Sequence, residues 1–157
     1  MANIKRIDHV AIAVRDAEQA TRQFVNLLNA IPIRTEILQE KAGPVKVSYL
    51  QIGENVLSLV QSMDAEGFIS KHIDKHGEGL HHMGLEVDDL EKFIEDVESK
   101  GFKIPLRDEF TNRSEVVLRP RDAAGVVLQI VEWKGGSEVN VEERIERIRN
   151  LHNKPAK

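Results

Sequence analysis

A chain of 157 residues, 41% hydrophobic and 31% charged, fits one domain or two small halves sharing a core, and its composition excludes both disorder and a fibre. The absence of cysteine excludes disulfides, thiolate zinc sites and thiol nucleophiles together. A formal net charge of −4, without a basic stripe, argues against nucleic acid and for a small-molecule partner. Local clusters such as Arg113, Arg119 and Arg121 could meet an anionic ligand, and solvated surface charge is the commoner reading of each. Behind the basic residues of Met1-Ala2-Asn3-Ile4-Lys5-Arg6 there is no apolar run. No stretch approaches the roughly 20 apolar residues of a membrane span. No signal peptide, no membrane and a cytoplasmic location are therefore expected.

Taken in chain order, residues 7–14 have the β-branched, apolar content of a strand. Asp16 is placed to cap a helix over about 17–29, with Ala20, Phe24, Leu27 and Leu28 at helical spacing. An extended segment around Pro32 follows, then strands over 45–51 and 55–61 separated by a turn at Gly53-Glu54. Residues 65–79 read as a short helical connector ending in Gly77-Glu78-Gly79. A second strand–helix pair covers 80–87 and about 89–100, capped by Asp88 or Asp89 and closed at Gly101. Pro105 marks another extended segment, before strands over 114–119 and 125–132. Residues 138–151 form an amphipathic helix with Val141, Ile145, Ile148 and Leu151 on one side, suited to cover a sheet edge or a partner chain. Residues 153–157 read as a frayed tail.

These elements repeat. At an offset of 73 residues, Ile7-Asp8-His9-Val10-Ala11-Ile12-Ala13-Val14 meets Leu80-His81-His82-Met83-Gly84-Leu85-Glu86-Val87, and Ile31-Pro32-Ile33-Arg34 meets Ile104-Pro105-Leu106-Arg107. The chain is thus a duplicated module. The fold class expected is α+β, with two tandem βαβββ modules (about 5–62 and 80–134) forming one cupped mixed sheet within a single domain. The connector (63–79) and the C-terminal helix (about 138–151) complete it.

The duplication carries chemistry, because His9 and His82 occupy equivalent positions and imidazole is the commonest protein ligand of divalent transition metals. At an offset of 71, Val56-Leu57-Ser58-Leu59-Val60 meets Val127-Leu128-Gln129-Ile130-Val131. The lone polar residue of each apolar run, Ser58 or Gln129, falls at a matching place and needs a partner, through hydrogen bonding or a metal. His72 and His76, four apart on the connector, read as a solvated helix face. His81 alternates away from His82.

The segments Ile7 to Val14 and Gly77-Glu78-Gly79-Leu80-His81-His82-Met83-Gly84-Leu85-Glu86-Val87-Asp88-Asp89 resemble the signature segments of methylmalonyl-CoA epimerases. These belong to the vicinal-oxygen-chelate superfamily with glyoxalase I, extradiol dioxygenases and bleomycin-resistance proteins. The likeness covers about residues 5–133. It implies one divalent metal ion (Co, Zn, Ni, Mn or Fe) held by His9, His82, Gln129 and Ser58, an acyl-CoA or other small-molecule substrate, and a homodimer. It also implies a metal-dependent isomerase that removes a proton next to a metal-chelated carbonyl. The chain departs from the pattern at Ser58, where epimerases carry Gln or Glu, and at Gln129, where they carry an acid–base Glu. Gln cannot abstract a proton, so the base must be metal-bound water or a carboxylate such as Glu86, which shares the strand parity of His82. Tyr49 and Glu132 are further candidates. A glyoxalase I-like lyase and a non-catalytic small-molecule-binding relative are the alternatives. An Fe(II) dioxygenase lacks its carboxylate.

Overall fold

The computed structural model describes residues 1–151; the tail expected over 153–157 lies outside the described residues. The strands are β1 (Ile4–Ala13), β2 (Ile31–Glu40), β3 (Gly43–Ile52), β4 (Asn55–Ser62), β5 (Gly79–Val87), β6 (Leu106–Glu109), β7 (Arg113–Leu118) and β8 (Val127–Trp133). The helices are α1 (Ala17–Leu28), α2 (Phe68–His76), α3 (Leu90–Ser99) and α4 (Val141–Arg149). Hydrogen bonding orders the strands β2-β3-β4-β1-β5-β8-β7-β6 in a mixed sheet, which places the chain in the α+β class. The chain divides into two compact units. The first-repeat unit holds His9–His81 with Asn140–Leu151, and the second-repeat unit holds Met1–Asp8 with His82–Val139. No helix among the described residues is long and apolar enough to cross a membrane.

In the first-repeat unit α1 starts where Asp16 leaves the helical region (φ −137°), and its carboxylate accepts from the backbone N–H groups of Glu18 and Gln19, both at 2.9 Å. Two orphan donors of the first turn are thereby satisfied. The helix ends at Asn29, whose left-handed φ of 53° needs no glycine because the amide side chain tolerates that region. One face of the helix, through Ala17, Ala20 and Phe24, packs on Val10, Ile12, Leu50, Leu57 and Leu59. Helix α4 begins with a reciprocal capping box between Asn140 and Glu143. It packs against β2, the end strand of the order, where Arg34 donates to the Arg149 carbonyl at 3.1 Å. Ile145, Ile148 and Leu151 are buried within the chain itself. Of the two covering roles open to this helix, the sheet edge is the one seen.

Helix α2 brings the connector histidines to β5. The ring of His72 lies 4.8 Å from that of His76 and 4.6 Å, edge-on, from that of His81, with Phe68 at 5.8 Å from His81. Only His76 keeps the solvated position expected of both connector histidines; His72 is half-buried.

In the second-repeat unit Asp89 is the cap, accepting from Lys92 N–H at 2.9 Å, while Asp88 binds the backbone N–H and the side-chain amide of Asn3, each at 2.8 Å. Glu132 accepts from Leu90 N–H at 2.7 Å and so serves the start of α3. The core joins Leu90, Phe93 and Ile94 to Leu85, Val87, Val116, Leu128 and Ile130. A single 3-10 turn over Pro120–Asp122, followed by positive φ at Ala124 (53°) and Gly125 (87°), delays β8 to Val127, two residues later than the sequence predicts. Two of the three cluster arginines stand at this turn beside one carboxylate: Arg119 lies 2.8 Å and Arg121 3.9 Å from Asp122.

Leu59 is fully buried and Leu27 is 77% exposed. Leu59→Ala should therefore cost about 2–5 kcal/mol in urea unfolding, and Leu27→Ala no more than about 0.5 kcal/mol; equal losses would contradict the packing described. Burial, and then the charge of His72, hold the His81 imidazole down to about 4 from an ordinary 6.5. Unfolding takes up a proton between those values, so this group removes stability as pH falls from about 6.5 toward 4. In protein stripped of divalent ions, His81→Gln should flatten that part of the stability–pH curve relative to wild type; parallel curves would refute it.

Candidate functional site

In the first-repeat unit β1 and β4 run parallel, with Val10 beside Leu57 and Ala11 beside Ser58. Val10, Ile12, Leu57 and Leu59 pack toward α1. Strand alternation therefore turns Ala11 and Ser58 to the other face, and with them His9, two residues before Ala11. Tyr49 is the direct partner of Ser58 across β3 and β4. Its hydroxyl donates to Glu36 Oε1 at 3.1 Å, and Arg34 Nε stands 3.3 Å from Glu36 Oε2. Ser58 is 2% exposed, and its Oγ has no hydrogen-bond partner among the described residues. A buried hydroxyl left in this state costs about 1–3 kcal/mol.

The second-repeat unit reproduces the register. β5 and β8 run parallel with Met83 beside Leu128 and Gly84 beside Gln129. These are the residues reached by adding 73 to Val10 and Ala11 and 71 to Leu57 and Ser58. The repeat found by letter and the repeat found by hydrogen bonding agree residue for residue. Leu85, Leu128 and Ile130 pack toward α3, so His82, Gly84 and Gln129 face away from it. On β7, Val116 and Leu118 also pack toward α3, which turns Arg113, Glu115 and Val117 to the face of Gln129.

That face carries a polar network in which Glu115, a residue no sequence motif marks, joins Gln129 to Arg113. Gln129 Nε2 donates to Glu115 Oε1 at 2.8 Å, and Arg113 Nε donates to Glu115 Oε2 at 2.8 Å. Arg113 and Glu115 are 5% and 3% exposed. The guanidinium lies 4.4 Å from the Phe110 ring centre and 5.5 Å from that of Trp133, a stacked cation that gains from both π faces. Trp133 Nε1 in turn donates to Asp8 Oδ1 at 2.8 Å. Arg113 is therefore no solvated surface charge. The signal available in the sequence was parity alone: Glu115 alternates with Val116 and Leu118 and so falls opposite the apolar face.

Glu86 is fully buried, with Arg6 Nε 3.2 Å from its Oε2. The other guanidinium nitrogens of Arg6 donate to the carbonyls of Val139 and Ser137, at 3.1 and 2.5 Å. A carboxylate buried this deeply needs such a partner to stay charged.

By donor chemistry alone, each unit offers side chains of the kind a divalent ion takes. His9 and His82 offer imidazole, Gln129 an amide oxygen and Ser58 a hydroxyl, donors that suit ions of intermediate softness. Ser58 Oγ is left without a hydrogen-bond partner among the described residues, and the Gln129 amide is tied to Glu115. Among the described residues no three His, Cys, Asp or Glu side chains are grouped to hold a metal.

Comparison with known proteins bears on the family and the fold. Residues 8–116 match the family model of the glyoxalase/bleomycin resistance protein/dioxygenase superfamily. The human mitochondrial methylmalonyl-CoA epimerase is 28% identical over 133 residues, covering 82% of this chain and 74% of that protein. Among solved structures, the protein BH1468 of Bacillus halodurans C-125 superposes with a TM-score of 0.74 at 31% identity, covering 85% of this chain and 98% of that one. The methylmalonyl-CoA epimerase of Mycobacterium tuberculosis does so with a TM-score of 0.76 at 26% identity, covering 83% and 89%. The chain belongs to the glyoxalase/bleomycin resistance protein/dioxygenase superfamily.

Proposed function

We propose that the chain is a metal-dependent isomerase of the methylmalonyl-CoA epimerase kind, removing and returning the proton beside the thioester carbonyl of a malonyl-type acyl-CoA. The observation that carries this reading is the repeated register that lays each histidine strand beside a strand with one polar residue: Ala11 beside Ser58 and Gly84 beside Gln129, two residues beyond His9 and His82. Similarity to named epimerases supplies the substrate class. In the proposal these four residues are the metal ligands. When bound, a divalent ion polarises a chelated carbonyl and so acidifies the adjacent carbon.

The four ligands are neutral, so the anionic donor must come with the substrate, and a malonyl-type carboxylate provides it. Gln129 has no proton to exchange at useful basicity. Glu86, buried against Arg6, is assigned here to holding the strand ends together rather than to proton transfer. Tyr49 is better placed for that work. It stands directly across from Ser58, and its Oη can pass a proton toward Glu36 Oε1 and take one back.

A second reading, a relative that binds the ligand without turning it over, is favoured by one observation: position 129 is an amide tied to Glu115. Solvent deuterium exchange into methylmalonyl-CoA separates the two. Wild type loaded with Co²⁺ or Zn²⁺ should exchange the proton at the carbon between carboxylate and thioester. His82→Ala should lose both the ion and the exchange. Tyr49→Phe should keep the ion and slow exchange by about 10²-fold or more, the usual worth of a general acid–base group. A loaded wild type that does not exchange would leave the binding role in place of the isomerase, and a wild type that takes up neither ion would sink the metal reading itself.

A further inference from the structure

An amide at a ligand position has a weakness that a carboxylate lacks, because its two ends are different. The oxygen can meet a cation and the NH₂ group cannot, yet the two are close to equal in size and rotation by half a turn exchanges them. A bare glutamine at position 129 would divide its time between a useful and a useless orientation. The structure supplies what decides between them. Glu115, ionised, can only accept hydrogen bonds, and its Oε1 takes the Gln129 Nε2–H at 2.8 Å. The nitrogen is thereby bound on the Glu115 side, and the oxygen is left directed away from it.

We infer that Glu115 is the positioning residue that makes Gln129 a metal ligand, fixing the amide so that Oε1 is the atom presented to the ion. This assignment rests on the metal reading proposed above. Glu115 is itself held: its second oxygen accepts from Arg113 Nε at 2.8 Å, so turning away from Gln129 would break a buried ion pair. Arg113 is fixed between the Phe110 and Trp133 rings, and Trp133 is tied to Asp8. The order runs from Asp8 through Trp133, Arg113 and Glu115 to the amide of Gln129. A carboxylate behind a ligand also raises the electron density on the donor atom, as it does for metal-bound histidines. The negative charge absent from position 129 is present one hydrogen bond further back, on β7. Gly84, the β5 neighbour of Gln129, adds no side chain to crowd the amide.

The test reads the amide and the ion separately. In metal-free protein, the side-chain NH₂ resonances of Gln129 should show one proton protected from solvent exchange, and Glu115→Gln should abolish that protection. Co²⁺ affinity, followed by its visible absorption, should fall by about 10–100-fold in Glu115→Gln, the usual cost of losing such a partner. The double variant Glu115→Gln/Gln129→Glu reverses the polarity of the same hydrogen bond, the amide introduced at 115 donating to the carboxylate introduced at 129. It should bind Co²⁺ at least as tightly as wild type. Gln129→Glu alone sets two carboxylates against each other and should not reach that affinity. Wild-type Co²⁺ affinity in Glu115→Gln, or a double variant no better than that single variant, would overturn the assignment while leaving the metal reading intact. A wild type that takes up no Co²⁺ would overturn the metal reading and this assignment with it.

Discussion

The parallel pairing of the first and last strand of each repeat is the constraint on which the rest depends. Once β1 lies beside β4 with Ala11 at Ser58, and β5 beside β8 with Gly84 at Gln129, alternation settles every other side chain on those strands. Leu57, Leu59, Leu128 and Ile130 must then face helices, and the polar residues between them must face the other way. A slip of one residue would bury Ser58 or Gln129 under a helix and expose the leucines. The helix of each repeat enforces the register, since its apolar stripe accepts only the matching set. The chemistry of the chain thus uses the positions that packing leaves over.

Those positions are unlike in the two units. Around Ser58 the first-repeat unit has small and apolar neighbours, Ala11 and Val60 among them, with the Tyr49–Glu36 pair alongside. Around Gln129 the second-repeat unit places a buried ion pair stacked on two aromatic rings. Duplication provided two equal frames, and the side chains have since diverged, one toward a lone hydroxyl and the other toward a charged support. Burying Arg113 and Glu115 gives up hydration that their attraction alone does not restore. The hydrogen bond to Gln129 and the two rings supply the remainder, which makes rigidity at position 129 the return on that outlay.

Much of this was legible in the sequence. Duplication exposed the repeat, and with it the element order, because His9, Pro32 and Asp16 recur at one spacing with the turn residues around them. Where boundaries shifted, local polar bonding was responsible. Asp88 and Asp89 are indistinguishable as letters, and only the pairing of Asp88 with Asn3 leaves the cap to its neighbour. The turn after Arg119 depends on an arginine–aspartate contact within it, which no periodicity announces. The support of Gln129 was hidden for a different reason. It joins residues 113, 115 and 129 across two strands and ends at residue 8, and a single sequence carries no signal for a side-chain bond of that separation.

Residues 1–8 belong to the second-repeat unit, although they precede the first. Arg6 fastens them to Glu86 and to the carbonyls of Ser137 and Val139, more than a hundred residues away along the chain. The second-repeat unit is therefore not a contiguous piece of polypeptide. Its contacts between residues 3–6 and residues 86–88, 137 and 139 are all long-range, and such contacts repay the entropy of loop closure only late in folding. The sequence repeat and the compact unit therefore do not coincide: the second repeat, cut at the boundary its letters suggest, leaves the Met1–Asp8 segment of its unit behind.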